Sequence, residues 1–281
     1  MTGEKPKIWW ITGVSSGFGQ AIAAAALARG DVVVGTVRRA EDKQKFEQFA
    51  AKNAIGLILD ITNEQAVIDT AAQIEETIGA IDILVNNAGY GLVGAIEEAS
   101  QAEIRAQFEV NVFGTISVIQ SVLPYMRKRG AGRIINVTSV SGLAPWMGTG
   151  IYGASKFALE CIGQTLAEEV SPLGIKVTNV APGGLRTDFA TRSLTVCKKE
   201  ISAYEPTAHM AKSILSGHGG SENGDPAKAA LAVLKIADAE EPPMHLLLGA
   251  DALHYVGRTM GNFHAEMADW APLSVSIAFD D

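Results

Sequence analysis

Tyr152 and Lys156 stand four residues apart in YGASK, a spacing that brings both side chains to one face of a helix. A phenol works as a general acid or base near neutrality only if its pKa falls from about 10. A neighbouring ammonium favours the phenolate and pulls in that direction. A fall of about three units needs roughly 4 kcal/mol of differential stabilisation. The pair gains weight from its company. Ser139 follows the apolar run 132–138, Asn86-Asn87-Ala88-Gly89 follows the run 81–85, and Asn111 lies in the helical stretch beyond. A sheet that ends these runs together would gather a hydroxyl, amides, a phenol and an ammonium at one edge.

A second chemical signature lies near the start. After 7–12 (KIWWIT) come Gly13, Ser15, Ser16, Gly17, Phe18 and Gly19. A glycine turn between a strand and a helix N-terminus offers free backbone N–H groups and the helix dipole to a phosphate. Gly13 permits the turn, Gly17 lets the backbone approach a pyrophosphate, and Gly19 lets the helix pack on the sheet. The second strand ends in Val37, where an NAD-binding chain places an acid, and Arg38 and Arg39 follow. Guanidinium groups pair with a 2′-phosphate in bidentate fashion, so NADP(H) is favoured over NAD(H). Asp60, at the end of the third strand, is either an acceptor for an adenine amino group or a cap for the next helix.

The elements that must hold these groups alternate along the chain. Strands are expected at 7–12, 31–37, 54–59, 81–85, 132–138, 175–180 and 245–248. Helices are expected at 17–29, 41–52, 63–78, 101–129, 152–170 and 226–237, with Asn63 as a cap and Pro124 near the end of the fourth. Strands apolar on both faces and separated by helices predict one α/β domain over 1–281, a doubly wound parallel sheet of about seven strands with helices on both faces. Residues 183–225 show no clear strand and end in SGHGGSENGD. Their apolar Phe189, Leu194, Met210, Ile214 and Leu215 predict a lid over a site.

Composition narrows the function. Twenty-three cationic and 31 anionic side chains give a net charge of −8 with no long basic run, which argues against a nucleic-acid partner. Arg127-Lys128-Arg129 before Gly130 complements a helix dipole. No apolar run reaches the roughly 20 residues of a membrane span, and no signal peptide is expected. Two cysteines, without metal-ligand spacing, predict no metal and fit a reducing, cytoplasmic setting. His209 and His218 fall in the expected lid, whereas His245, His254 and His264 lie outside it.

Taken together, TGVSSGFG (12–19), Asp60, NNAG (86–89), Asn111, Ser139, YGASK (152–156) and PGGLRT (182–187) resemble the short-chain dehydrogenase/reductase family, in its order and over nearly the whole chain. NNAGYG, FEVNVFGT and Val37-Arg38 look most like its hydroxysteroid and retinol dehydrogenase-like branch. The resemblance implies that Tyr152 exchanges a proton with the substrate oxygen and that Ser139 hydrogen-bonds this oxygen. Lys156 would lower the Tyr152 pKa and hold the nicotinamide ribose, and Asn111 would hold the active-site helix and a proton-relaying water. It further implies cofactor contacts from Ile61, Asn87, Ala88, Gly89, Pro182, Gly183 and Thr187 besides the glycine loop. The expected reaction is NADP(H)-dependent interconversion of a ketone or aldehyde and an alcohol. Ser141, Leu143, Pro145, Trp146, Met147, Leu185, Phe189 and Met210 are the candidate pocket, whose apolar cast suits a lipophilic or aromatic small molecule. An epimerase or dehydratase on the same fold, or a catalytically silent nucleotide-binding regulator, stays open. Apolar Phe157, Leu159, Cys161, Ile162 and Leu166 on the Tyr152 helix predict a homodimer or homotetramer.

Overall fold

The computed structural model describes residues 5–50, 52–217 and 220–279; His218 lies outside them. The chain runs β1 (Ile8–Thr12), α1 (Gly17–Arg29), β2 (Val32–Val37), α2 (Ala40–Glu47), β3 (Ala54–Ile58), α3 (Glu64–Gln73) and β4 (Ile83–Asn86). It continues with β5 (Gly91–Val93), α4 (Gln101–Phe108), a π-helical segment (Glu109–Gly114), α5 (Thr115–Arg129), β6 (Gly132–Val137), α6 (Gly150–Val170) and β7 (Ile175–Pro182). Then follow α7 (Phe189–Arg192), β8 (Leu194–Val196), α8 (Met210–Gly217), α9 (Pro226–Asp238), β9 (His245–Leu248) and α10 (Ala250–Val275).

Local chemistry sets the boundaries. Asn63 accepts from the Ala66 N–H and caps α3, so capping does not fall to Asp60. Ser100 and Glu103 form a reciprocal capping box at α4. Asp225 caps α9 ahead of Pro226, whose missing N–H costs nothing in the first turn. Gly130 ends α5 in the left-handed region, with three cations in the last turn; Pro124 lies inside a helix that runs on to Arg129.

Seven parallel strands form one sheet in the order β3-β2-β1-β4-β6-β7-β9. Trp9 and Trp10 are neighbours on β1, point to opposite faces, and are both fully buried. Trp9 packs in a core with α1 and α9, and Trp10 in one with α3 and α5. That double burial is why β1 lacks polar alternation. The strand order reverses between β1 and β4, which opens a crevice at their carboxyl ends. At the amino edge, Lys7 and Arg29 both pair with Asp238, and Arg29 also pairs with the buried Asp31, which takes the Trp9 indole N–H.

Two expectations change. Residues 183–225 do contain a strand: β8 pairs in parallel with β5 in a separate two-stranded sheet. Its three residues are too short for a period to be read. The segment also holds α7 and α8, and its ends are joined by a bridge between Leu185 and Gly224. The expected apolar face of the Tyr152 helix is spent in part inside the chain itself. Leu159 and Leu166 are buried, leaving Phe157 and Cys161 exposed. Residues beyond 249, without a motif in the sequence, form α10. Among the described residues no helix is long and apolar enough to cross a membrane, and no cluster of His, Cys, Asp and Glu has the makings of a metal site.

Candidate active site

One cleft of about 1480 Å³ runs along the carboxyl edge of the sheet, from Arg38 and Asp60 to Ser139, Tyr152 and the 183–225 segment. A single drug-sized ligand fills about 300–1,000 Å³, so this cleft has room for a dinucleotide with a substrate beside it.

The glycine loop shapes its floor. Gly13 and Gly17 have φ of 74° and 61°, a region that favours glycine. A side chain at Gly13 would meet the Ala88 backbone at 3.0 Å, and one at Gly19 would collide with the Asn87 amide at 2.3 Å. At Gly17 the nearest atom would be Thr187 Cβ at 3.7 Å. The loop is therefore packed shut below and open above, the shape a pyrophosphate needs at the N-terminus of α1. Asn87 fastens the loop by donating to the carbonyls of Thr12 and Gly13, and the Thr12 hydroxyl accepts from the N–H groups of Asn87 and Ala88. Ser15, Ser16, Phe18, Ile61, Gly89, Pro182 and Gly183 also line the cleft, whereas Gly19 does not. Gly19 serves packing. Asp60 lines the cleft and accepts from both the N–H and the hydroxyl of Thr62.

Arg38 and Arg39 part company. Arg38 lines the cleft and, among the described residues, makes no ion pair. Arg39 is committed to Asp42 at 2.8 Å and Glu41 at 3.0 Å, so the expectation that it shares a phosphate with Arg38 is not met by its geometry.

At the other end, Ser139 follows β6 and takes the Ser141 N–H on its oxygen, which frees its own proton to donate. The hydroxyl hydrogen-bonds Tyr152 in the first turn of α6. Lys156 is buried, and its ammonium donates to the Val137 carbonyl at 2.8 Å, leaving two of its three donors. The fall toward neutrality that the lysine was expected to bring is outweighed by burial in the protein alone: the Tyr152 phenol is pushed up to about 12, with the Ser139 hydrogen bond opposing. Burial also brings Lys156 down to about 8, against the carboxylate of Glu160 one helical turn on. Glu160 is itself buried, holding Thr138 at 2.5 Å and Asn179 at 2.8 Å, with His245 at 3.5 Å.

Asn111 does not line the cleft. It sits in the π-helical turn, donates to the Tyr90 carbonyl and the Ser155 hydroxyl, and accepts from the Tyr90 N–H. That makes it a positioning residue that ties α6 to the chain after β4. π-turns of this kind carry one extra residue and frequently mark functional sites.

Of the expected substrate pocket, Ser141, Pro145, Trp146, Leu185 and Phe189 line the cleft. The Phe189 ring lies 5.9 Å from that of Tyr152. Leu143, Met147 and Met210 do not line it; Met147 and Met210 are turned to solvent. Met210 opens α8, and it is Ile214 and Leu215, on the next turn, that reach the cleft. His209 is held by buried Glu98 at 2.7 Å and belongs to the scaffold. Sequence reading missed Tyr255, Arg258 and Thr259 of α10, as well as Arg192. The three α10 residues had only an amphipathic run after β9 as a signal, and Arg192 had none.

A family model described as short chain dehydrogenase matches residues 7–196. The chain is 37% identical to an oxidoreductase, BOA17, of Botryotinia fuckeliana, over 97% of this chain and 99% of the relative. It is 36% identical to a 3-ketodihydrosphingosine reductase of Bacteroides thetaiotaomicron, over 87% of this chain and 88% of the relative. A crystal structure of a short-chain dehydrogenase from Streptomyces avermitilis superposes with a TM-score of 0.92 at 38% identity, covering 99% of this chain and all of the other.

Proposed function

Because this chain belongs to the short-chain dehydrogenase/reductase family, we propose that it is an NADP(H)-dependent reductase of a lipophilic ketone or aldehyde. The observation that carries the reading is the meeting of Tyr152, Ser139 and Lys156 at one end of a cleft whose other end is a phosphate loop. Supporting the cofactor choice, Arg38 lines the cleft and the usual acid is replaced by Val37, buried at 3% exposure. Asn87, Ala88, Gly89, Pro182, Gly183 and Thr187 would flank the nicotinamide half. When bound, the cofactor supplies the hydride.

The chain's own groups handle the proton. With its pKa near 12, Tyr152 is a phenol at neutral pH, the state that donates to a carbonyl oxygen. Ser139 offers a hydrogen bond to the oxyanion as charge develops there. The Lys156 ammonium stabilises the phenolate left after donation. Asn111 keeps α6 in place. The reduction direction therefore needs no prior ionisation, whereas alcohol oxidation asks Tyr152 to lose a proton first.

The substrate end is lined by Leu92, Val93, Trp146, Leu185, Phe189, Ile214 and Leu215. These apolar walls suit a lipophilic substrate, in keeping with the hydroxysteroid and retinol dehydrogenase-like resemblance, and one relative is named for a keto substrate. The enzyme acts as a homodimer or homotetramer in this reading. The test is a panel of ketones and aldehydes followed by NADPH absorbance. Turnover is expected on apolar members. Tyr152→Phe keeps the ring and should lower kcat by about 10²–10⁴ while NADPH affinity holds. Full activity in that variant overturns the assignment.

A further inference from the structure

A second, smaller cavity of about 420 Å³ adjoins the cleft beside Arg38, lined by Ser15, Arg38, Arg39, Asp42 and Arg192. Ser15, Arg38 and Arg192 line both spaces, which makes them continuous. Arg38 comes from the end of β2. Arg192 comes from more than 150 residues later, on α7 in the 183–225 segment. The chain after β2 thus contributes the guanidinium groups of Arg38 and Arg39 to the small cavity, and the 183–225 segment contributes that of Arg192.

The charges in this cavity do not cancel. Asp42 and Glu41 both pair with Arg39, and Asp42, one carboxylate beside three guanidinium groups, is shared with Arg192 across the cavity. Arg192 has Asp188 at 3.9 Å, at the outer limit of an ion pair. Arg38 makes no ion pair among the described residues. Two guanidinium groups facing one pocket repel unless an anion sits between them, and a phosphate dianion accepts bidentate bonds from both.

α7 also has a reach that an isolated arginine lacks. Its first residue, Phe189, packs its ring against that of Tyr152 at a tilt of 47°, and its last is Arg192, three positions on and on the same side of the turn. One helical turn therefore spans from the reacting tyrosine to the small cavity.

We infer that Arg192 is a second cation for the 2′-phosphate of the cofactor, clamping it against Arg38, so that binding of this phosphate fixes α7 and the Phe189 wall of the active site. The inference rests on the NADP(H) reading above and extends it to a residue outside β2.

The experiment measures equilibrium binding of two probes to the full chain, adenosine 2′,5′-bisphosphate and adenosine 5′-monophosphate, by calorimetry. These differ only in the 2′-phosphate and need no turnover. Wild type is expected to prefer the bisphosphate. Arg192→Gln should cut bisphosphate affinity by about tenfold or more and leave the monophosphate unchanged. Arg38→Gln should do the same. The Arg192 side chain is 51% exposed, so its replacement leaves the fold intact. Hydrogen exchange adds a second readout: peptides covering 186–193 should gain protection with the bisphosphate and not with the monophosphate. If Arg38→Gln loses the preference and Arg192→Gln keeps it, the clamp is wrong and the NADP(H) reading stands. If wild type shows no preference, both fall. If Arg192→Gln weakens both probes equally, or exchange in 186–193 is the same with either, the residue does not read the 2′-phosphate and the inference is overturned.

Discussion

At the scale of single residues, burial is the dominant force on the reactive groups. It drives Tyr152 up to about 12 and Lys156 down to about 8, each toward its neutral form. Lys156 is a cation below about pH 8 and loses that charge above it. Reduction should therefore show an alkaline limb near pH 8 in kcat, since the phenolate left by Tyr152 then lacks its counter-charge. Glu160 is the group that raises Lys156. It is faced by Lys156 on α6, Thr138 just after β6, Asn179 on β7 and His245 on β9. Glu160→Gln keeps the shape and removes the charge, so the limb should move to lower pH by up to about one unit. A pH profile of kcat in both proteins checks this, with His245→Asn as the control for the outer neighbour. An unmoved limb in Glu160→Gln would show that this carboxylate has no hold on the lysine.

At the scale of elements, the 183–225 segment is not uniform. Its middle is pinned: buried Glu98 takes the Ile201 N–H and His209, Glu103 takes the Lys198 N–H, and Tyr204 donates to Glu97. Its flanks carry the cleft-facing Phe189, Arg192, Ile214 and Leu215. Lid closure, as proposed from the sequence, would then be a movement of the flanks about a fixed middle. Hydrogen exchange with and without NADPH should show protection rising in 186–193 and 210–217, and little change in 197–204. Equal protection of the flanks and the core strands in the free enzyme would make the segment a rigid wall. The contrast also explains what could be read in the chain beforehand. The seven-stranded sheet was legible because apolar runs such as ILVN and IWWIT repeat between helices. The reactive trio was legible because it falls on strand ends and on one helix face. β5 and β8 were not, being three residues each and stabilised by each other across about 100 positions. The loss of Met147 and Met210 from the pocket was equally hidden, since Met147 lies in a turn ahead of α6 and Met210 at the first position of α8, one turn short of Ile214, and neither placement leaves a period in the sequence.

At the scale of the whole molecule, α10 is the outlier. Ala252 and Val256 pack on the body, and the same stripe continues through Met260, Phe263, Met267 and Trp270, which are 46% to 63% exposed. Spacings of four, three, four and three keep those side chains on one face. Monomeric proteins rarely leave such a patch to water. From 259 to 275 the helix carries Glu266 and Asp269 and no Lys or Arg, unlike helices that lie on lipid. A second copy of the chain suits it better. Light scattering at micromolar concentration should give a dimer or tetramer mass, and removing 260–281 should lower it. A monomer mass for the intact chain ends the oligomer reading. The sheet has a second end with a different character. Lys7, Arg29, Asp31 and Asp238 knit its amino edge with ion pairs, while the cleft groups described above sit at the carboxyl edge. The molecule thus has a front and a back. A surface or dye tethered through the back, near Asp238, would present the cleft outward, so an immobilised sample should keep its mouth open to the solution.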